Sequence, residues 1–319
     1  MDSIEGARVP IMSFEFQGVS IDLMFVRLAD NFVPANVDIF NDKILRNMDQ
    51  VSVNCLKGPR DTDMIKKLIP KYENFVIVLR CIRKWAKAKG LYGNKFGYLG
   101  GINFNILVAF LCQLYPNASP SFLLVRFFRI YSEMWKWPAP IMLNKVPNEA
   151  GEVWTKDIAD RNGDLMPIIT PTYPAANSTA NVSAETLRQM TREFKKANDI
   201  CRAIASEKGK AKWDSLFYPS DFFLAYDHYL CCHIVGSVSP ADDDEEARSW
   251  IGLVESRLRF FPEYLSRLPI SPIHLYPEKF PSQKGYSSVA YYIGFNRVAK
   301  NDGEDSMPLH VDQCISDFK

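Results

Sequence analysis

The sequence predicts an α+β fold in three parts, and three observations lead to this prediction. Alternation of polar and apolar residues over 11–28 predicts two strands around Gly18. Helical spacing of apolar residues dominates positions 40–136. After residue 218 the predicted order is strand, helix, strand, strand, helix, close to a split βαβ unit. We therefore expect units over residues 1–31, 32–217 and 218–319.

In the first unit, apolar residues alternate with polar ones on both sides of Gly18. Met12, Phe14 and Phe16 share one face of the first predicted strand. Val19, Ile21, Leu23 and Phe25 share one face of the second. Because successive side chains of a strand point to opposite faces, Asp22 lies on the polar side.

The second unit contains a basic amphipathic helix followed by a glycine pair and a mostly apolar helix. The apolar stripe of the first helix comprises Phe75, Val78, Leu79, Ile82, Trp85 and Ala86, and its opposite face carries Arg80, Arg83, Lys84 and Lys87. Gly100-Gly101 opens the second helix, whose free N–H groups favour an anion. Cations beside a helix N-terminus suit a polyphosphate. A solvated basic face with a packing glycine is the alternative that the pattern leaves open.

The rest of this unit is predicted as one interrupted helix, ordered loops and one long helix. Lys57-Gly58-Pro59 is expected to break the first helical stretch. Residues 137–182 are predicted as ordered loops, because Trp154, Met166, Ile168, Ile169 and Tyr173 need burial. Ser183 is the expected N-cap of the long helix, and the unit is expected to end near Leu216-Phe217.

The third unit is predicted to begin with a strand over Phe222–Gly236. Ser239-Pro240 would start a helix whose first turns carry the acidic run 242–246, which suits the helix dipole. Its expected buried stripe is Trp250, Ile251, Val254, Leu258 and Phe261. Further strands are expected near Ile273 and at Ser288–Val298, and a last helix at Val311–Lys319.

Composition limits the classes of function. Among 319 residues, 47% are hydrophobic and the net charge is +1, so nucleic-acid binding would need locally clustered cations. Seven cysteines without a CxxC pair favour a reducing compartment. No apolar run reaches the ~20 residues that span a bilayer, and no signal peptide is apparent, so we expect no membrane partner.

The histidines and cysteines near residue 230 do not predict a metal site. On a strand, His228 and Cys232 face one way, whereas Cys231 and His233 face the other. Four ligands split between two faces do not converge on one zinc ion.

Four blocks of the sequence resemble the eukaryotic, nuclear-type poly(A) polymerases. Phe75–Ala118 resembles their central domain, and Val19–Ala29 resembles the strand that carries their third catalytic Asp. Leu165–Ser183, LMPIITPTYPAANSTANVS, resembles a strongly patterned segment of the family. Residues 219–258 resemble the start of its RNA-binding domain, including the signature W-x-G-L-V-E-S-[KR].

The resemblance implies a fold and an activity. Residues 1–31 would be the remnant of a nucleotidyltransferase sheet, 32–217 the mainly helical central domain, and 218–319 a ferredoxin- or RRM-like RNA-binding domain. The implied activity is template-independent addition of AMP from ATP to RNA 3′ ends, dependent on Mg2+ or Mn2+, during mRNA 3′-end processing in the nucleus. The implied partners are the RNA 3′ end, ATP and 3′-end cleavage and polyadenylation factors.

The resemblance also implies roles for individual residues. Asp22 matches the third metal-binding, catalytic Asp at the ATP site. The other implied ATP-binding residues are Arg83, where the family has a Lys that contacts the triphosphate, Tyr92, Asn94, and Gly101 with Ile102, whose backbone would line the pocket. Lys57 stands where the family commonly has Asn, and a Lys has no acceptor with which to make the same hydrogen bonds. It is therefore not an expected site residue.

The sequence departs from the family pattern before Asp22. The Gly-Ser motif and the D-x-D motif that supply the first two catalytic Asp are not present upstream of Asp22 in it. One carboxylate does not hold two divalent ions, so we expect a truncated poly(A) polymerase that is inactive alone. A non-catalytic RNA-binding relative is the alternative. A uridylyltransferase of the same superfamily is a third possibility, which the Leu165 block and the C-terminal unit oppose.

Overall fold

The computed structural model describes residues 2–4, 9–29, 32–206, 212–236, 245–281, 288–298, 309 and 311–318. The helices are α1 (Gln50–Leu68), α2 (Tyr72–Ala88), α3 (Gly101–Leu114), α4 (Pro120–Arg129), α5 (Lys156–Asn162), α6 (Ala184–Ala205), α7 (Glu245–Arg257), α8 (Phe261–Leu265) and α9 (Asp312–Phe318). The strands are β1 (Asp2–Ile4), β2 (Ile11–Phe16), β3 (Val19–Leu23), β4 (His228–Val235), β5 (Ile270–Leu275), β6 (Phe280–Pro281) and β7 (Ser288–Arg297). The predicted α+β class is confirmed.

The N-terminal sheet is antiparallel, in the order β1-β2-β3. Its register places Ser13 opposite Asp22 and Phe14 opposite Ile21, as expected for the predicted hairpin. The apolar side chains of this sheet are not buried, since Val19 is 60% exposed and Leu23 is 54% exposed. The pairing of β2 with β3 confirms the two strands predicted around Gly18.

Helix α1 runs without interruption through Lys57-Gly58-Pro59, so the predicted break there is wrong. Proline removes one backbone donor from the helix interior. Contacts of the next turn offset that loss, because Arg60 and Asp61 are buried and bind backbone groups of Tyr173 and Thr172. The distant segment thus stabilises a helix that local propensity disfavours.

The central core lies between α2, α3, α4 and α6. The ring of Trp85 meets Phe128 edge-on with centroids 4.9 Å apart and stacks on Phe194 at 5.4 Å. Ser183 caps α6 as predicted, accepting a hydrogen bond from the backbone N–H of Thr186. This packing holds α2 against α4 and α6.

The loops over 137–182 are ordered, and Trp154, Met166, Ile168 and Ile169 are buried as predicted. Tyr173 is only half-buried, and the segment also contains α5, which the sequence did not predict. This helix has only seven residues, which is too short for a pattern of apolar residues to predict it. Its N-cap is Thr155.

The C-terminal unit has a sheet in the order β4-β7-β5, with β6 also pairing with β7. The predicted first strand begins only at His228, because Phe222–Leu224 forms a 3-10 turn. The strands near Ile273 and at Ser288 and the last helix are confirmed. The predicted helix start at Ser239-Pro240 and the acidic residues 242–244 lie outside the described residues.

The prediction that Trp250 is buried is wrong, because half of this side chain is exposed. Helix α7 instead turns Ala247, Ile251 and Glu255 inward, one helical turn apart. The pattern of apolar residues did not predict that Glu255, a charged residue, is buried. Within the described ranges no helix combines the length and apolarity that crossing a bilayer requires.

Candidate nucleotide site

Arg83 joins α2 to the first turn of α3. Its Nη2 atom donates hydrogen bonds to the backbone oxygen of Gly101 at 3.1 Å and to Oδ1 of Asn105 at 2.8 Å. Its buried Nε has no hydrogen-bond partner in the part of the chain that the structure describes. Arg83 is therefore not a freely solvated cation of the basic face. A guanidinium offers five N–H donors, so several remain for an anion.

The missing side chain of Gly101 lets two polar groups converge on the start of α3. A Cβ atom at this position would lie 3.1 Å from Nη2 of Arg83 and 3.3 Å from the hydroxyl of Tyr92. The glycine pair opens α3 as predicted, with Gly100 as the N-cap. A cation, a hydroxyl and free helix N–H groups together form a place for an anionic group.

Tyr92 is in contact with an aromatic ring and with a cation. The ring stacks on Phe104 with centroids 5.9 Å apart and planes at 8°. The ammonium group of Lys87 lies 5.2 Å from the ring centroid on the basic face of α2. The Tyr92 ring thus packs on the core, and its hydroxyl lies beside Gly101.

Asn94 is braced by a distant segment of the central unit. Its Nδ2 donates to the backbone oxygen of Ser178 at 3.2 Å, and Asn181 donates to its Oδ1 at 3.0 Å. Asn103 also donates to the Ser178 hydroxyl, at 2.7 Å. Sequence reasoning missed these partners, although Asn103, Ser178 and Asn181 all lie within blocks that carried the family resemblance. Ile102 is half-buried and packs against the core next to Gly101.

A pocket of about 400 Å³ extends from Arg83 between α1 and α2. Arg80 and Lys66 line it together with Arg83, against one acidic side chain, Asp63. Asn105, which accepts a hydrogen bond from Arg83, also lines this pocket. The excess of cations makes the pocket suitable for an anion that extends beyond the Arg83 guanidinium.

Lys57 binds the segment 172–174, which also contacts Arg60 and Asp61 of α1. Its Nζ donates to the backbone oxygen of Pro174 at 2.7 Å. One turn further on, burial raises the pKa of Asp61, while hydrogen bonds from Thr172 oppose that rise. Lys57 therefore helps to attach a loop to α1.

Asp22 lies on the N-terminal sheet, apart from the cluster around Arg83. It is exposed and accepts a hydrogen bond from the Ser13 hydroxyl at 2.6 Å. This sheet connects to α1 through Arg27, whose N–H donates to the Ser52 hydroxyl at 3.0 Å. The structure thus brings together Arg83, Tyr92, Asn94, Gly101 and Ile102, with Asp22 on a separate element.

The described residues do not by themselves fit a divalent metal ion. Within the described ranges, no group of three or more His, Cys, Asp or Glu side chains is arranged to hold one. Mg2+ requires near-octahedral oxygen coordination, and Asp22 supplies a single carboxylate.

Three family models match successive parts of the chain. The poly(A) polymerase nucleotidyltransferase domain matches residues 1–69, and the poly(A) polymerase central domain matches 74–219. The poly(A) polymerase predicted RNA binding domain matches residues 221–293. The three models belong to one kind of protein and occur in the predicted order.

Curated relatives match almost all of this chain. Nuclear poly(A) polymerase 1 of Arabidopsis thaliana is 41% identical over 99% of the chain and 44% of the relative. The poly(A) polymerase of Dictyostelium discoideum is 40% identical over 90% of the chain and 34% of the relative. The chain thus spans less than half the length of the curated relatives that it matches.

The similar solved structures are more distant. A crystal structure of the Cid1 poly(U) polymerase with MgGTP bound is 17% identical over 69% of this chain and 71% of that chain, with a TM-score of 0.46. A cytoplasmic RNA terminal U-transferase is 18% identical over 69% and 72%, with a TM-score of 0.45. A likeness at this level carries no argument about the reaction or the nucleotide.

Proposed function

The chain belongs to the poly(A) polymerase family, and on that premise we propose that this protein adds AMP units from ATP to the 3′ end of RNA. In this reaction the RNA 3′ oxygen forms a bond to the α-phosphorus of ATP. The bond from that phosphorus to the oxygen that bridges it to the β-phosphorus breaks, pyrophosphate leaves, and the proton of the 3′ hydroxyl passes to solvent. The observation that carries the proposal is the convergence of Arg83, Tyr92 and Gly101 at the start of α3.

In the proposed complex the triphosphate lies against this convergence. Arg83 donates its remaining N–H groups to phosphate oxygens, and the Tyr92 hydroxyl donates a further hydrogen bond. Because a glycine stands at position 101, phosphate oxygens approach the backbone of α3 closely. Arg80 and Lys66 continue the positive charge along the pocket beyond Arg83. These groups neutralise charge that builds up as pyrophosphate leaves.

The remaining residues of the site are proposed to orient the nucleoside and the metal. Ile102 offers an apolar surface beside the phosphate position, and Asn94 is fixed by Asn181 so that its turn keeps one shape. Asp22 is proposed as one ligand of Mg2+ or Mn2+. The metal role of Asp22 stays a prediction, since its own sheet supplies no further ligand among the described residues.

The C-terminal unit is proposed to hold the RNA near its 3′ end. The match to a predicted RNA-binding domain supports this role. The relatives named nuclear poly(A) polymerases support a nuclear location and a part in mRNA 3′-end processing. Binding of 3′-end cleavage and polyadenylation factors stays a prediction.

The test of the phosphate site is the Arg83→Met variant of the full-length protein in a tailing assay with ATP. Loss of a charge-assisted hydrogen bond is expected to raise KM for ATP by roughly 10- to 100-fold. The matched control is Arg188→Met, because Arg188 is an exposed cation of α6 that pairs with Glu185. Unchanged ATP kinetics in Arg83→Met would remove Arg83 from the site.

The test of the reaction uses Asp22→Ala in the same protein. We expect tailing to be abolished while binding of an RNA primer is kept, and normal tailing would exclude the metal role. Preferred incorporation of UTP by the wild type would identify a uridylyltransferase. RNA binding by the wild type without incorporation of any nucleotide would favour a non-catalytic relative.

A further inference from the structure

The segment from Gly90 to Tyr98, which carries Tyr92 and Asn94, lies against the C-terminal unit. A Cβ atom at Gly90 would come within 2.4 Å of the Tyr276 ring, so the segment and the C-terminal unit touch there. The hydroxyl of Tyr98, a fully buried side chain, donates to the backbone oxygen of Leu275 at 2.9 Å. Both ends of the segment are thus packed on the end of β5.

Between these two contacts, a buried carboxylate of the C-terminal unit binds the segment. Glu255 on α7 is only 6% exposed, yet three donors reach it. Lys95 donates to its Oε2 at 2.7 Å, and Lys279 and the Tyr291 hydroxyl reach its Oε1 at 2.9 and 2.8 Å. Burial raises the pKa of Glu255, but the hydrogen bonds from Lys95, Lys279 and Tyr291 outweigh it and lower the pKa overall. The carboxylate is therefore charged at neutral pH.

The turn that holds Asn94 is fixed from two directions. On the side of the central unit, Asn181 donates to the backbone oxygen and to Oδ1 of Asn94. On the other side, Lys95 pairs with Glu255, and the ring of Phe96 packs against Tyr291 with centroids 5.2 Å apart. The position of Asn94 consequently depends on how the C-terminal unit is docked.

We propose that Glu255 is a positioning residue for the nucleotide site, which holds the turn 93–97 through Lys95 and couples nucleotide binding there to RNA binding on the C-terminal unit. The coupling rests on the proposed function; the positioning does not. RNA that restrains the C-terminal unit also restrains the turn, so ATP then binds at a smaller entropic cost. Coupling between two sites is reciprocal, so ATP strengthens RNA binding by the same factor.

The chain offers a matched pair of variants for this proposal. Lys95 and Lys279 bind the same carboxylate, at 2.7 and 2.9 Å, and their side chains are similarly exposed, at 49% and 54%. Only Lys95 belongs to the turn. Lys95→Met and Lys279→Met therefore remove equivalent ion pairs from Glu255 but differ in whether the turn is released.

The first measurement is amide hydrogen exchange of residues 93–97 in the full-length protein without ligands. We expect exchange to accelerate in Lys95→Met and in Glu255→Gln and to stay at the wild-type rate in Lys279→Met. Equal rates in Lys95→Met and Lys279→Met would overturn the positioning role. This comparison needs no nucleotide, so it holds whether or not the proposed function is correct.

The second measurement is the affinity for ATP with and without a short oligo(A) RNA. In the wild type and in Lys279→Met we expect RNA to tighten ATP binding by roughly 5-fold or more. In Lys95→Met and Glu255→Gln the factor is expected to fall to about 1, a change that general destabilisation would not produce. A factor that persists in Lys95→Met would overturn the coupling. Absence of ATP binding by the wild type would refute the proposed function and the coupling, and the exchange result alone would then decide the positioning role.

Discussion

At the scale of single residues, the turn 93–97, which holds Asn94, depends on the glycine that ends it. Gly97 has φ +84°, and a Cβ atom there would lie 2.8 Å from the backbone oxygen of Asn181. Gly163, at the end of α5, has a similar φ of +71°, but nothing lies within 4 Å of the corresponding position. Alanine at Gly163 therefore costs only the strain of a left-handed backbone, whereas alanine at Gly97 adds a steric contact with Asn181.

We expect Gly97→Ala to lower the free energy of unfolding by about 2–4 kcal/mol and Gly163→Ala by about 1 kcal/mol. Both variants require a left-handed alanine, and only the first also pushes against a backbone carbonyl that belongs to the Asn181 brace. Urea unfolding of the two variants measures the difference. Equal losses would mean that the segment around Asn181 moves aside freely.

The sequence was informative for those site residues whose chemistry is local. The family resemblance implied Arg83 and Gly101 as neighbours at one ATP site, whereas the charge pattern and the glycine pair alone also allowed a solvated basic face. The braces Ser178 and Asn181 are ordinary polar residues, and they lie 84 and 87 positions from Asn94. No spacing rule predicts such a pairing, so only the fold shows it.

At the scale of elements, α1 demonstrates how tertiary contacts override local propensity. The pair Gly58-Pro59 disfavours helix, and yet α1 continues for 19 residues. Asp61 accepts hydrogen bonds from the backbone N–H of Thr172, at 3.2 Å, and from its hydroxyl, across 111 positions of the chain. In α7 the sequence pattern failed in the other direction. Trp250 belongs to the predicted apolar stripe but is half exposed, because the helix turns the charged residue Glu255 inward.

Asp61→Ala is expected to lower the free energy of unfolding by about 2–4 kcal/mol, because it leaves two buried donors of Thr172 without an acceptor. Asp63→Ala, on the exposed side of the same helix, is expected to change it by less than about 0.5 kcal/mol. Thermal or urea unfolding of both variants tests this. A loss in Asp61→Ala no larger than in Asp63→Ala would show that the contact adds nothing to the stability of α1.

At the scale of the whole molecule, the order of the three units and the mixed fold class follow from the sequence. The docking of the C-terminal unit on the segment 90–98 does not, because it depends on one buried carboxylate and on aromatic contacts between distant elements. The signature containing Glu255 was recognised as a pattern, without a physical role for its acidic residue. The structure supplies that role as the acceptor for two lysines and a tyrosine.

The lowered pKa of Glu255 gives a pH dependence with a definite sign. A carboxyl group whose pKa is lower in the folded state stabilises the fold above its ordinary value of 4.5 and loses that contribution as pH falls through the lowered value. The difference in free energy of unfolding between wild type and Glu255→Gln should therefore be constant above pH 4.5 and shrink below it. Urea unfolding across this range measures it. A difference that grows on acidification would contradict the assignment.

The exposed N-terminal sheet has a practical consequence for handling the protein. Strand β3 forms the outer strand in the described sheet, and Val19 and Leu23 are more than half exposed on it. Such an unpaired, apolar strand is a template onto which a second molecule adds its own strand. A preparation of this chain by itself is therefore expected to be poorly soluble, with light scattering that rises with concentration. Val19→Lys, at an exposed position, should suppress that scattering without altering the helical units.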